Sequence, residues 1–181
     1  MKKEIRICGF GGQGVILSGF IIGKAASVFM DFHAVQSQSY GPEARGGAAR
    51  SEIIVSDEKI GYPRPTGVDI LLAMSQESFD TYRTDVTKDT VIIVDPDLVR
   101  KHDIGQPVHK VNAQQIAESL GNKIVTNIVM VGAFTSIFGM LDTEAVKQSV
   151  LDSVPKKFLA LNEKAFEKGV EAGKNAIKDL R

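Results

Sequence analysis

Ile5-Arg6-Ile7-Cys8, Gly9-Phe10-Gly11-Gly12-Gln13-Gly14 and Val15-Ile16-Leu17-Ser18 follow one another without a break and decide the fold class. The first four residues read as a short buried strand. The last four open a helix, and the glycines between them make a tight turn, so the chain carries G-x-G-x-x-G in a strand–turn–helix setting. Glycine has no Cβ, so the backbone can take positive φ and let a ligand or another segment approach closely. The helix behind the turn aims unpaired N–H groups and the positive end of its dipole into it. Two readings stand side by side: the turn holds a phosphate, or its glycines only let strand and helix pack tightly.

Downstream of the turn, Val15 to Met30 reads as a helix, with Gly19, Gly23 and Ala26 on one side where it can lie close to a sheet. Phe32 to Ser39 reads as a second strand and Ala49 to Val55 as a third, with a possible hairpin over 49–62. Val68–Met74 and Val91–Val94 are continuous apolar runs of the kind buried on both faces of a parallel sheet. Ser75 is placed to cap one helix and Asp95-Pro96 to open another. Val108–Val111 reads as a shorter strand. Asn112 with Gln115 resembles a capping box, and Gly121 is the expected stop. The last third reads as helical: Ile124 to Met140, then Asp142 through Val150, then Pro155 to near Arg181. On that last helix Phe158, Ala165, Phe166, Gly169, Gly173, Ala176 and Ile177 fall near one face. Gly169 and Gly173 lower helix propensity, which points to close packing there. The expectation is an α/β, Rossmann-like domain over residues 1–181, a mostly parallel sheet flanked by helices with a helical C-terminal third.

Composition narrows the function. The chain has 181 residues, 43% hydrophobic and 24% charged, as in an ordinary soluble globular protein. Lys plus Arg and Asp plus Glu balance at 22 each. Zero net charge argues against nucleic-acid or membrane-surface binding by bulk electrostatics. The one cysteine, Cys8, reads as a small core residue, and a lone thiol holds neither an iron–sulfur cluster nor a structural zinc. The run 124–140 is shorter than a membrane span and carries Thr126, Asn127, Thr135 and Ser136, so it reads as a buried helix. Met1-Lys2-Lys3-Glu4 leads straight into a strand, and the cytoplasm is the expected compartment.

A dinucleotide-dependent dehydrogenase wants a carboxylate at the end of the second strand. Asp31 has the spacing but precedes that strand, whose end offers Gln38, Ser39 and Tyr40, so this reading is disfavoured. In the loop Tyr40-Gly41-Pro42-Glu43-Ala44-Arg45-Gly46-Gly47, Arg45 is able to grip a phosphate or carboxylate while Gly46 and Gly47 turn amides toward it. Pairing of Arg45 with Glu43 or with a partner subunit explains it equally well. His33, His102 and His109 are scattered. Asp95 and Asp97 fit helix capping more simply than metal or acid–base work. The inventory is that of a binding or assembly domain.

Gly9-Phe10-Gly11-Gly12-Gln13-Gly14, the stretch Ser39 through Gly47, and the apolar helix with Asn127 through Gly132 together resemble the gamma subunit of 2-oxoacid:ferredoxin oxidoreductases. The likeness spans essentially the whole chain and looks most like the small gamma subunit of the four-subunit 2-oxoglutarate and branched-chain enzymes. It implies oxidative decarboxylation of a 2-oxoacid, here expected to be 2-oxoglutarate, to an acyl-coenzyme A with reduction of ferredoxin. Thiamine diphosphate, Mg²⁺ and [4Fe-4S] clusters are then carried by alpha, beta and delta partner subunits, and this chain is inactive alone. The implied site is Gly9, Gly11, Gly12 and Gly14 with Tyr40, Arg45, Gly46 and Gly47, receiving coenzyme A; no catalytic or metal-binding residue is assigned. A purely structural assembly subunit and a stand-alone nucleotide-binding oxidoreductase are the alternatives.

Overall fold

Six strands form one sheet in the computed structural model, which describes residues 1–40 and 47–180. The strands are β1 (Lys2–Phe10), β2 (His33–Tyr40), β3 (Ala48–Ser56), β4 (Ile70–Ala73), β5 (Val91–Val94) and β6 (Val108–Lys110). Their order is β2-β3-β1-β4-β5-β6. β1, β4, β5 and β6 pair in parallel, and β3 runs antiparallel to both β1 and β2. Five of the six strands therefore point the same way, which matches the expected mostly parallel sheet. β2 and β3 form the hairpin, with His33 opposite Ser56 and Tyr40 opposite Ala49. The expected hairpin over 49–62 is therefore displaced: its first part is the return strand of this one.

The helices are α1 (Val15–Phe29), α2 (Gln76–Tyr82), α3 (Ala113–Ser119), α4 (Thr126–Phe138), α5 (Thr143–Leu151) and α6 (Leu159–Lys178). Single 3₁₀ turns precede α4 and α6. Several ends follow the sequence signals. Ser75 accepts from Ser78 N–H to cap α2, and Asp142 accepts from Ala145 N–H at 2.9 Å to cap α5. Gly121 takes φ +87° just past α3. One expected helix is absent: after β5 the chain makes a turn, with Leu98 and Val99 N–H both on Asp95 O. Asn112 makes no side-chain cap. Asp95 supplies it instead, accepting from Gln114 N–H at 2.7 Å and from Asp97 N–H at 2.9 Å. Burial pushes the Asp95 pKa up, against these backbone donors.

Helix cover is uneven. One face of the sheet packs Ile5, Ile7, Ile53 and Leu72 against α1, α3, α4, α5 and α6. The other face packs Cys8, Leu71, Ile92 and Val94 under α2 through Phe79. Beside that smaller core lies an ion cluster around the buried Arg6, with Glu52 nearly buried and Asp85 exposed. Arg6 Nε donates to Glu52 Oε1 at 2.9 Å, its Nη1 to Tyr82 O at 2.9 Å, and its Nη2 lies 3.0 Å from Asp85. Burial pushes the Cys8 thiol up to about 12, so it is a core residue with negligible thiolate at neutral pH.

α4 and α6 meet backbone to backbone. A Cβ on Gly132 would collide with Phe166 O, one on Gly169 with Val129 O, and one on Gly173 would sit 2.6 Å from Ala133 O. Only a missing side chain allows this approach, which explains glycines that otherwise weaken a helix. Ser136 Oγ donates to Val170 O at 2.8 Å across the same contact.

Candidate functional site

The carboxyl ends of β1, β4 and β5 converge on the glycine turn, and the side chain of Gln13 fastens it. Gln13 Oε1 accepts from Phe10 N–H at 2.7 Å, and Nε2 donates to Met74 O at 2.9 Å. One carboxamide thus ties the end of β1 to the end of β4. Gln13 N–H also bonds Phe10 O at 3.1 Å. Gly12 and Gly14 take φ +97° and +74°, the left-handed region in which glycine alone is unstrained. Gly14 is the N-cap of α1 and has no side chain to cap it. Among the described residues no acceptor meets the N–H groups of Gly12, Gly14, Val15 or Ile16. An anion in front of the turn is what such groups attract.

The structure divides the expected site residues. Gly9 lies inside β1 and is buried; a Cβ there would meet Gln13 Oε1 at 2.6 Å and Val15 Cγ2 at 3.0 Å. Its role is close packing. Gly11 N–H is engaged with Gly47 O at 3.2 Å, which brings the turn and the end of the 40–47 loop together. Gly12 and Gly14 line open clefts. Tyr40 ends β2 opposite Ala49. Arg45 and Gly46 lie outside the described residues.

Two clefts flank Gly12. The first, about 250 Å³, is lined by Gln13, Met74, Gln114, Lys123 and Thr126. Lys123 Nζ lies 2.9 Å from Glu118 and holds that carboxyl below the usual range. The second, about 320 Å³, runs behind the turn between Leu17 of α1, Ile128 of α4, and Phe158 and Leu161 at the start of α6. Asn127 and Asn162 are the polar side chains in its wall. Gly12 and Ile124 line both clefts. Asp95 and Asp97 do not open onto a paired-carboxylate site: Asp95 caps α3, and Asp97 accepts from Gln115 Nε2 at 2.8 Å. The three histidines stay apart, His102 on Val99 O and His109 on Ala176 O.

Residues 4–172 match the model of the family described as pyruvate ferredoxin/flavodoxin oxidoreductase. The 2-oxoglutarate synthase subunit KorC of Methanocaldococcus jannaschii is 45% identical over 96% of this chain and 95% of its own length. The chain belongs to the pyruvate ferredoxin/flavodoxin oxidoreductase family. Within that family, the keto/oxoacid ferredoxin oxidoreductase gamma subunit from Geobacter sulfurreducens superposes with a TM-score of 0.88 at 43% identity, covering 97% of this chain and 98% of that one. The 2-oxoglutarate:ferredoxin oxidoreductase from Magnetococcus marinus, solved with 2-oxoglutarate, coenzyme A and succinyl-CoA bound, gives 0.82 at 24% identity. The match there covers 96% of this chain and 31% of that one, so the fold also occurs as part of a longer polypeptide. Among the described residues no helix is long and apolar enough to cross a membrane. The helix expected over 124–140 is shorter: α4 spans Thr126–Phe138 and is buried over most of its length, while Ile124 and Val125 lie in the preceding 3₁₀ turn and Ile124 is exposed.

Three residues at the site escaped the motif. Gln13 sits at a variable position of G-x-G-x-x-G, and only its long-range bond to Met74 reveals its work. Lys123 and Asn127 lie more than a hundred residues from the turn. The signal for Asn127 was its place as the one carboxamide in a largely apolar helix.

Proposed function

We propose that this chain is the gamma subunit of a 2-oxoacid:ferredoxin oxidoreductase acting on 2-oxoglutarate, and that its glycine turn receives the phosphates of coenzyme A. The end-to-end match with a 2-oxoglutarate synthase subunit of nearly equal length carries the first half. The open N–H groups of Gly12 and Gly14, with Lys123 across the adjoining cleft, support the second. Arg45 and Gly46 complete the anion site from the loop, and Tyr40 lines its approach; Gly47 holds that loop to Gly11. The polypeptide acts as one domain in the cytoplasm.

The chemistry of the reaction belongs to alpha, beta and delta partners, with ferredoxin as electron acceptor. A [4Fe-4S] cluster needs four thiolates, and Cys8 is one buried thiol. The clusters therefore sit on the other subunits; in this reading thiamine diphosphate and Mg²⁺ sit there too, and this chain contributes assembly and coenzyme A delivery.

The test is the coenzyme A dependence of turnover in the reconstituted complex carrying Gly12→Ala or Arg45→Ala. Gly12→Ala meets open space but strains a positive φ. Both changes are expected to raise the coenzyme A KM at least tenfold with the 2-oxoglutarate KM unchanged. Wild-type coenzyme A dependence in both, with assembly intact, reduces the chain to a scaffold.

A further inference from the structure

Arg6 and Arg50 share one carboxylate, Glu52, and they share it unequally. Arg6 takes Oε1, with Nε at 2.9 Å and Nη2 at 2.7 Å, and adds Tyr82 O and Asp85. Arg50 Nε lies 3.7 Å from Glu52 Oε2, too far for a hydrogen bond, and among the described residues this buried nitrogen has no acceptor. Buried donors are nearly always paired, because losing water without replacement costs free energy. Yet the Arg50 side chain is not sealed in, since 32% of it is exposed. Its guanidinium carbon stands 5.2 Å from the centre of the Tyr82 ring, which supports it from one side. Tyr82 OH in turn donates to Ala48 O at 3.2 Å, so the ring is fixed to the strand that carries Arg50.

Strand pairing places this side chain at the thinly covered margin of the sheet. Arg50 is opposite Cys8 on β1 and Ser39 on β2, so all three share the α2 face. α2 lies over β1, β3 and β4, whereas β2 is packed by α1 on the opposite face. Beside Arg50 the α2 face of β2 carries the half-buried Val35, Ser37 and Ser39, and β2 is the edge strand. Short side chains there leave a shallow surface with the guanidinium at its border.

A planar guanidinium fork pairs bidentately with a carboxylate or a phosphate. The surroundings favour the carboxylate. Glu52 and Asp85 already stand in the cluster, and they oppose a dianion more than a single charge. A shallow sheet margin also suits a protein surface. We propose that the sheet face around Arg50 is a docking surface for another subunit of the oxidoreductase, and that an aspartate or glutamate of that subunit completes the pairing of Arg50. The inference rests on the chain's place in a multi-subunit enzyme and uses none of the residues assigned to coenzyme A. Docking supplies the missing acceptor, and the ring-supported fork fixes the direction of approach.

The experiment is modification by phenylglyoxal, which attacks accessible guanidinium groups, read at Arg50 by mass spectrometry in the isolated full chain and in the reconstituted complex. Arg50 should react at least tenfold more slowly in the complex. Equal rates overturn the proposal, and so does an Arg50 that already resists the reagent in the isolated chain, because its own polypeptide then covers it. Inorganic phosphate protecting the isolated chain as fully as the other subunits do would make this a small-anion site and also overturn it. Arg50→Gln should weaken joining of this chain to the other subunits at least tenfold, and Arg50→Lys, which keeps the charge but loses the fork, should weaken it less. Wild-type affinity in Arg50→Gln overturns the proposal; if that variant misfolds, the phenylglyoxal comparison on the unmodified protein still decides. The amine of Arg50→Lys also allows zero-length carbodiimide coupling, which should join it to an aspartate or glutamate of one other subunit. Links confined to this chain count against the docking surface and overturn it. Failure of the unmodified chain to join any other subunit removes the gamma-subunit reading itself, whereas assembly with Arg50 still reactive removes only the docking face.

Discussion

Gly173→Ala puts the α4–α6 contact to a quantitative test. The new Cβ would lie 2.6 Å from Ala133 O, 2.8 Å from Ala133 Cα and 3.0 Å from Ser136 Cβ. Two of these atoms are helix backbone and cannot rotate away. To reach 3.4 Å, the lower limit of ordinary contact, α6 must recede by roughly 0.8 Å, and the seam around Phe166 and Gly169 opens with it. Alanine returns about 1 kcal/mol of helix propensity. Overpacking costs about 1–3 kcal/mol, and the upper half of that range applies where the obstacle is backbone. The net loss is about 1–2 kcal/mol, which lowers the melting temperature of a chain this size by roughly 2–8 °C. Gly23→Ala in α1 is the matched control. Its Cβ would find Ile53 Cγ2 at 3.8 Å and Ala34 Cβ at 3.9 Å, both ordinary contacts. The propensity gain of about 1 kcal/mol is then unopposed and raises stability. Urea and thermal unfolding of the full chain measure both. A Gly173→Ala chain as stable as the parent, or a destabilised Gly23→Ala chain, refutes the packing argument.

Other predictions concern the turn, the ion cluster and pH. Gln13→Ala removes the acceptor for Phe10 N–H and the donor to Met74 O and should cost about 1–2 kcal/mol in urea unfolding. Gln13→Glu should cost more, because a carboxylate then faces the Met74 carbonyl. Arg6→Leu removes the close partner of the nearly buried Glu52 carboxylate and leaves only Arg50 Nε, 3.7 Å away, so it should cost about 1–3 kcal/mol, whereas Arg6→Leu combined with Glu52→Gln should recover part of that loss on the same measurement. His109 is held below the ordinary imidazole pKa by burial, which outweighs its bond to Ala176 O. The unfolded chain therefore takes up that proton first as pH falls below about 6.5. Stability from this site is complete above that pH and declines as pH drops toward the lowered native value. His109→Gln should flatten that segment of the urea-midpoint curve between pH 7 and 5.

Where local chemistry decides local structure, the sequence was legible. The strand–turn–helix, the caps at Ser75 and Asp142, the stop at Gly121 and the glycine seam of the last helix each follow from residues within a few positions of one another. What depends on distant partners was not legible. Strand direction leaves no mark on composition, so the antiparallel insertion of β3 between β2 and β1 was invisible. Its polar residues hid its burial, because Glu52 and Ser51 are satisfied by Arg6 and Gln36 on neighbouring strands. Asp95-Pro96 carries a helix-start signal, but that carboxylate caps α3, whose own candidate cap, Asn112, makes no such bond. At the site, the glycines that matter to a ligand could not be told from the packing glycine Gly9, since all sit in one motif and differ only in what surrounds them.

The direct contact of α4 with α6 has a consequence for the cleft at their shared end. Asn127 lies in the first turn of one helix and Phe158 and Leu161 at the start of the other, and no flexible side-chain layer separates the two rods along the seam. The distance across the slot is therefore fixed before anything enters it. An occupant meets a preorganised gap and avoids the entropic penalty of drawing two mobile walls together.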